Sequence, residues 1–236
     1  SSMLLRSVSS FVGVRSSFLH SSIKRSSVAL STATSSTNFA LSDRLEGLDK
    51  PTVWHEFSPL AVEHGAVNLG QGFPDWDPPL FVRESMQQSV DPKEGRQANQ
   101  YARSYAHLPL ANVLAEDYTE RWNMQDTPIN PATQVATAVG CTNALYCALH
   151  GILSRDDEVI LLEPAFDIYS SQVRMAGAKP VFVPIRPTGK ASEGASKMFT
   201  LDLDELEAAI TDKTRVLLIN TPHNPTGKMF SMQELK

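Results

Sequence analysis

The 236-residue sequence lacks the marks of several large protein classes. Its two cysteines, Cys141 and Cys147, are too few for a disulfide framework, and no Cys/His cluster has zinc spacing. No metal site is expected. No stretch approaches the roughly 18 uninterrupted apolar residues of a membrane span. Basic residues are the minority, 21 against 26 acidic, for a formal net charge of −5. A nucleic-acid surface usually needs a basic stripe, so neither nucleic acid nor membrane is an expected partner. Neither GxGxxG nor GxxxxGK[ST] occurs, which removes the fingerprints of nicotinamide and P-loop nucleotide binding. There is no internal repeat. What remains is ordinary globular composition, 42% apolar and 20% charged, and the expectation is a soluble, reduced, intracellular protein.

Charge is unevenly spread. Residues 1–38 hold Arg6, Arg15, Lys24 and Arg25 but no acidic residue; the first is Asp43. The stretch is rich in Ser and Thr, with Leu4, Leu5, Val8, Phe11, Val12, Phe18 and Leu19 between the basic residues. A basic, acid-free, Ser-rich leader with scattered apolar residues matches a mitochondrial transit peptide, cut between Arg25 and Asn38. A secretory signal would need a longer apolar core than Phe11–Val14. The expected location is the mitochondrial matrix, with a cytoplasmic pool as the alternative; a disordered Ser-rich tail is the plain reading of the leader.

Beyond the leader, 52–64 has helical spacing, with Trp54, Phe57, Leu60 and Ala61 near one face and Gly65 as a stop. An irregular Gly/Pro/Asp loop follows. Phe81–Val90 and Leu110–Trp122 read as amphipathic helices, the second placing Val113, Leu114 and Tyr118 on one face. After Pro131 short apolar strands alternate with helices. Strands are expected at 133–139, 157–163, 179–185 and 214–220, and helices at 142–153, 168–175 and 202–210. That alternation indicates α/β architecture with a doubly wound, mostly parallel sheet. A further helix is expected from Ser231, and because a domain should not stop there, the chain is read as incomplete.

Three segments sit where strands end, the usual place for ligands in such sheets. In Val139-Gly140-Cys141-Thr142-Asn143-Ala144 a glycine and small polar residues open a helix, whose free N–H groups and dipole suit a phosphate. On its own the pattern is also that of a plain turn. Cys141 at a helix start could have a lowered thiol pKa, although packing explains it equally. In Glu163–Tyr169, Phe166 and Tyr169 are three apart and project to one side. A ring there can stack on a flat heterocycle, or both rings can fill the core. Asn220-Thr221-Pro222-His223-Asn224-Pro225-Thr226-Gly227-Lys228 forms a rigid, non-helical turn after a buried strand. It aims Asn224 over the sheet end, where its amide could donate to an anionic oxygen.

The string NTPHNPTGK at Asn220–Lys228, with VNLGQGFPD at Val67–Asp75, NQY at Asn99–Tyr101 and EPAFDIY at Glu163–Tyr169, resembles the fold-type-I pyridoxal-phosphate aminotransferases. The likeness runs over residues 40–236 and is strongest to the kynurenine aminotransferase and cysteine-S-conjugate β-lyase branch. It implies part of the large-domain sheet of that fold, with an N-terminal helical arm contributing to the small domain. The implied division is 1–38 transit peptide, 39–98 arm and substrate loop, and 99–236 incomplete cofactor-binding domain.

The cofactor implied is pyridoxal 5'-phosphate. Gly140, Cys141 and Thr142 would hold its phosphate through backbone amides, Phe166 would stack on its ring, and Asn224 would donate to its phenolic oxygen. Tyr169 would line the same pocket, Asn220 would stand near the substrate carboxylate, Gly72 would let the chain approach the substrate, and Trp54 would flank it. Tyr101 would reach a second subunit's site, implying a homodimer. Substrates would be an amino acid, L-kynurenine among them, and a 2-oxo acid. The pyridine-nitrogen aspartate, the Schiff-base lysine and the carboxylate-binding arginine would lie beyond Lys236, so catalytic residues stay unassigned. Lys228 is the motif's own lysine. Two other departures stand out: Cys141-Thr142-Asn143 where relatives carry glycine or an aromatic, and Ala106 and Leu108 in place of Gly and Pro. The alternatives are β-elimination from cysteine S-conjugates at the same site, or a truncated, inactive product.

Overall fold

A computed structural model of the chain describes residues 42–48, 50–72, 74–91 and 99–236. The leader read as a transit peptide lies outside the described residues, as does part of the arm, 92–98.

The sheet is built around β1 (Glu158–Glu163), whose sequence EVILLE has no polar alternation in its centre. Such a strand is stable only where both faces are covered, and Val159, Ile160 and Leu161 are fully buried. Val159 and Leu161 face one cluster with Leu149, Leu153, Val173 and Ala178. Ile160 and Leu162 face the other, with Val183, Ile185 and Phe230. The two-residue period of a strand thus feeds two separate cores.

β2 (Lys179–Pro187) and β4 (Thr214–Leu218) flank β1 and run parallel to it, with Phe182 and Leu218 opposite Leu161. β3 (Phe199–Leu201) pairs antiparallel with β2, Thr200 opposite Arg186, and the order is β3-β2-β1-β4. The mostly parallel α/β sheet expected from the sequence is present.

Helices cover it. α4 (Gly140–Ile152) and α5 (Ile168–Met175) bring Leu149 and Val173 to the first core. α7 (Leu203–Ala208) brings Leu206 to the second. Its start is fixed by Asp202, whose carboxylate accepts from the N–H groups of Asp204 at 3.0 Å and Glu205 at 3.2 Å. The arm consists of α1 (Val53–Glu63) and α2 (Leu80–Val90), neither of which buries a residue. α3 (Leu108–Arg121) follows, and α6 (Ala195–Met198) is a single turn before β3.

Four expectations need correction. No strand forms over 133–139: the N–H groups of Thr133 and Gln134 close a turn on the Asn130 carbonyl, and beyond it the ladder a strand requires is replaced by a bond from Thr137 N–H to the Tyr105 carbonyl at 2.7 Å. The segment from Ser231 makes one turn, not a helix, closed by Glu234 and Leu235 N–H groups on the Ser231 carbonyl. Between the strand expected at 179–185 and the helix expected at 202–210, where no element is expected, lie α6 and β3, too short for periodicity to reveal. Finally, α3 buries Ala111 and Ala115, while Val113 is 63% exposed. Of the three large residues expected on one face, Val113 and Tyr118 are exposed and Leu114 is half-buried, so the two alanines take the buried positions.

Leu161→Ala removes a side chain from a strand with no room to collapse. It should lower the unfolding free energy by about 2–5 kcal/mol, read as a shift of the urea midpoint at unchanged slope.

Candidate active site

Because β1 and β4 run parallel with Leu161 opposite Leu218, their C-terminal ends lie side by side. Glu163–Tyr169 leaves one and Asn220–Lys228 leaves the other. Both loops contain cis Xaa-Pro bonds, at Glu163–Pro164, Thr221–Pro222 and Asn224–Pro225.

The loop after β1 carries Phe166, whose ring lies edge-on to Tyr169 at 5.6 Å between centroids and 82° between planes. Phe166 is 36% exposed, so the two rings are not simply core. Burial chiefly, and the Cys141 thiol next, push the Tyr169 phenol above its ordinary value. The link from this helix to the first turn of α4 is Gln172, one turn further along α5: its amide donates to the Thr142 carbonyl at 2.8 Å. Gln172 is buried, and its own Oε1 has no hydrogen-bond partner among the described residues.

The first turn of α4 is uncapped by any side chain. Gly140 opens it at φ +83°, a left-handed conformation that an L side chain rarely adopts, with open space beyond its Cα. The Gly140 N–H is engaged by the Ala138 carbonyl at 2.9 Å. The donors left for a ligand are therefore the amides of Cys141 and Thr142, which a helix start leaves without internal acceptors. Both residues are exposed, so packing does not explain Cys141. Asn143 turns back to accept from Val139 N–H at 3.3 Å. An uncapped helix start, an exposed aromatic face and an amide-bearing loop suit a planar phosphorylated ring such as pyridoxal phosphate.

The loop after β4 is pinned from within. His223 N–H donates to the Lys228 carbonyl at 2.8 Å, and Gly227 N–H to the His223 carbonyl at 2.6 Å. Lys228 is 1% exposed; its ammonium donates to a Glu234 oxygen at 2.7 Å and the Ser196 carbonyl at 3.1 Å, 5.0 Å from the Phe230 ring centroid. A lysine so enclosed is unavailable for covalent chemistry. Asn224 is left exposed and Asn220 half-buried.

Other expected residues lie apart from this cradle. Trp54 packs on the loop after α1, where a Cβ added at Gly70 would meet its ring at 3.2 Å. Asn68 fixes that loop by accepting from Gly70 N–H at 3.0 Å and Gln71 N–H at 3.2 Å. Trp54, Phe57 and Ala61 line a cleft of about 340 Å³ with Val67–Gly70. At Gly72 the space is open. Tyr101, at 104% exposure, stands clear of the chain, whereas the Ala106 methyl is buried within it. Sequence reading passed over His223 and Gln172. His223 stood inside the quoted motif, and Gln172 follows Tyr169 by three on the same helix face.

Partial burial pushes the Glu234 carboxyl up, but hydrogen bonds from Lys228 and Ser231 outweigh it and hold it below its ordinary 4.5. Its folded value is depressed, so its stabilisation is full above the ordinary carboxylate value and is lost as pH falls through the lowered one. Acid unfolding followed by circular dichroism should therefore show a low-pH component that Glu234→Gln removes.

Residues 64–236 match the family described as aminotransferase class I and II. The chain is 41% identical over 192 residues to a kynurenine–oxoglutarate transaminase of Dictyostelium discoideum, covering 79% of this chain and 43% of that protein. It is 38% identical over 237 residues to kynurenine–oxoglutarate transaminase 3 of Homo sapiens, covering 98% of this chain and 50% of that one. Among solved structures it resembles N-succinyldiaminopimelate aminotransferase from Mycobacterium tuberculosis, with a TM-score of 0.68, 40% identity, and 83% and 47% of the two chains covered. An aspartate aminotransferase from Thermus thermophilus gives 0.68, 29% identity, and 84% and 48% coverage. The chain spans about half the length of the curated relatives it matches. With the Glu163–Tyr169 and Asn220–Lys228 motifs leaving one sheet end and a family match over most of its length, the chain belongs to the class I and II aminotransferases, a family that works with pyridoxal 5'-phosphate.

Proposed function

We propose that the protein moves the amino group of L-kynurenine and related amino acids to a 2-oxo acid, with pyridoxal 5'-phosphate seated where β1, β4 and α4 meet. The observation that carries this reading is the convergence of the Gly140 turn, the Phe166–Tyr169 pair and the Asn220–Lys228 loop at one end of the sheet. The choice of kynurenine is supported by the names of relatives about 40% identical.

When bound, the cofactor supplies an electron sink for the substrate Cα. The chain's own residues hold it in place. Cys141 and Thr142 amides bind the phosphate in the positive field of the α4 start, with Gly140 giving the backbone its turn. Phe166 lies against the ring, Tyr169 supports it, and Asn224 donates to the phenolic oxygen. Asn220 faces the substrate carboxylate; Trp54 and Gly72 border its side chain. Tyr101 reaches into a second copy, making the working form a homodimer. Lys228 takes no part in proton transfer, which falls to another lysine. The remaining division of the chain follows, with 1–38 directing the protein to the mitochondrial matrix, 39–98 bordering the substrate and 99–236 bearing the cofactor.

The complete protein, given L-kynurenine, should form kynurenic acid only when a 2-oxo acid is present, since the product oxo acid cyclises. Pyruvate release from a cysteine S-conjugate without a 2-oxo acid would favour the β-lyase reading, and failure to take up the coenzyme would overturn both. Phe166→Ala should weaken coenzyme binding by up to about tenfold, the scale of a lost aromatic contact, measured by fluorescence titration.

A further inference from the structure

We propose that Gln172 is a positioning residue for the cofactor phosphate: its side-chain amide ties the first turn of α4 to α5 and so sets where the Cys141 and Thr142 N–H groups stand relative to Phe166. The inference rests on the phosphate and ring roles proposed above.

The first turn of α4 has little else to hold it. Residues 139–144 are all exposed, so burial does not fix them. α4 is anchored at its other end, through Leu149, which joins Val173 of α5 in the first core. Leu149 lies about two helical turns beyond Thr142. Within the first turn, Gly140 N–H bonds the Ala138 carbonyl and Asn143 accepts from Val139 N–H, both local contacts. Among the described residues, the one hydrogen bond from this turn to another element is that of Gln172 Nε2 to the Thr142 carbonyl, at 2.8 Å. A carbonyl has two lone pairs, so this bond adds to the helix ladder and does not replace it.

The α5 end of the tie is firm. Gln172 and Val173 follow Tyr169 by three and four residues and share its helix face. Val173 is fully buried and Gln172 is 5% exposed, while Tyr169 meets Phe166 edge-on. One face of α5 therefore positions both the aromatic ring and the phosphate-facing turn.

Stability does not account for the amide. Gln172 Oε1 is buried with no partner among the described residues, an arrangement that costs free energy. A methionine of similar length would fill the position without that loss. What it would lack is the donor to Thr142.

The test uses the complete protein, stripped of coenzyme, as wild type and as the variants Gln172→Met and Cys141→Pro. Each is titrated by fluorescence with pyridoxal 5'-phosphate and with pyridoxal, which has no phosphate. The preference for the phosphorylated form isolates the phosphate contacts. The ³¹P chemical shift of the bound coenzyme and the urea midpoint of the coenzyme-free protein are read alongside. Gln172→Met should cut the preference by about tenfold, the scale of one hydrogen bond to a charged group, and move the ³¹P resonance. Its pyridoxal affinity should be unchanged and its urea midpoint at or above wild type. A residue that only packs would lower the midpoint and leave the preference intact. Cys141→Pro removes a phosphate-facing amide in a first turn, where proline is tolerated, and should also cut the preference.

If Cys141→Pro lowers the preference while a folded Gln172→Met leaves it at wild type, the tie is wrong and the phosphate seat survives. If a folded Cys141→Pro leaves it at wild type, or the wild type binds both ligands equally, the seat fails and the tie with it. Should either variant not fold, a crystal structure of the coenzyme-loaded wild type decides. Gln172 Nε2 on the Thr142 carbonyl with phosphate on the α4 amides supports the inference; Gln172 turned away overturns the tie, and phosphate bound elsewhere overturns the seat.

Discussion

Parallel pairing of β1 with β4 is the constraint from which the site follows, because it commits two loops distant in sequence to leave the sheet at one end. Had these strands run antiparallel, Phe166 and Asn224 would lie a strand length apart. The pairing is held by burial, not by side-chain polarity: β1 sends Val159 and Leu161 into one core and Ile160 and Leu162 into the other. A slip of one residue would exchange the two sets and place each against helices shaped for its neighbour.

The cores divide the labour between support and chemistry. α4 and α5 meet on the first face, and the contacts that hold them there also arrange the cradle. Tyr169 packs on this core while its ring edge meets Phe166, and Gln172 spends its amide on the Thr142 carbonyl in the first turn of α4. Helix packing and ligand-site geometry are therefore one set of contacts. The arm is built differently. α1 and α2 bury nothing, and the cleft beneath Trp54 is shaped by Asn68 and by a glycine that lets the indole come close.

Legibility in the sequence followed how local the cause was. Ile168–Met175 and the strands starting at Glu158, Lys179 and Thr214 could be read because apolar runs and turn residues sit within a few positions of each other. Residues 133–139 have equally good strand composition but no ladder partner among the described residues, and composition cannot supply one. β3 is the converse: Phe199–Leu201 is too short to stand out and exists because β2 offers an edge. That α3 buries Ala111 and Ala115 while Val113 stays exposed depends on which face meets the rest of the chain, which its periodicity does not state. Motif residues were located more reliably than their partners. NTPHNPTGK could be read as a turn after a strand, but not that its histidine and lysine would be the enclosed members while Asn224 is exposed.

That inversion has a physical reason. A loop that must present one amide to a ligand cannot use the same side chain to hold itself, since a hydrogen-bonding group engaged in the fold is lost to the ligand. The loop therefore needs other anchors, and this one has two of different kinds. Lys228 is a charge enclosed with a carboxylate and a carbonyl, an arrangement in which losing one partner leaves a costly unpaired ion. His223 is enclosed by burial, which lowers its pKa and favours the uncharged ring, and its Nδ1 meets the Thr226 hydroxyl at 3.0 Å. The two anchors meet in the backbone, because His223 N–H donates to the Lys228 carbonyl at 2.8 Å. The enclosed ring precedes Asn224, the side chain that the loop leaves exposed.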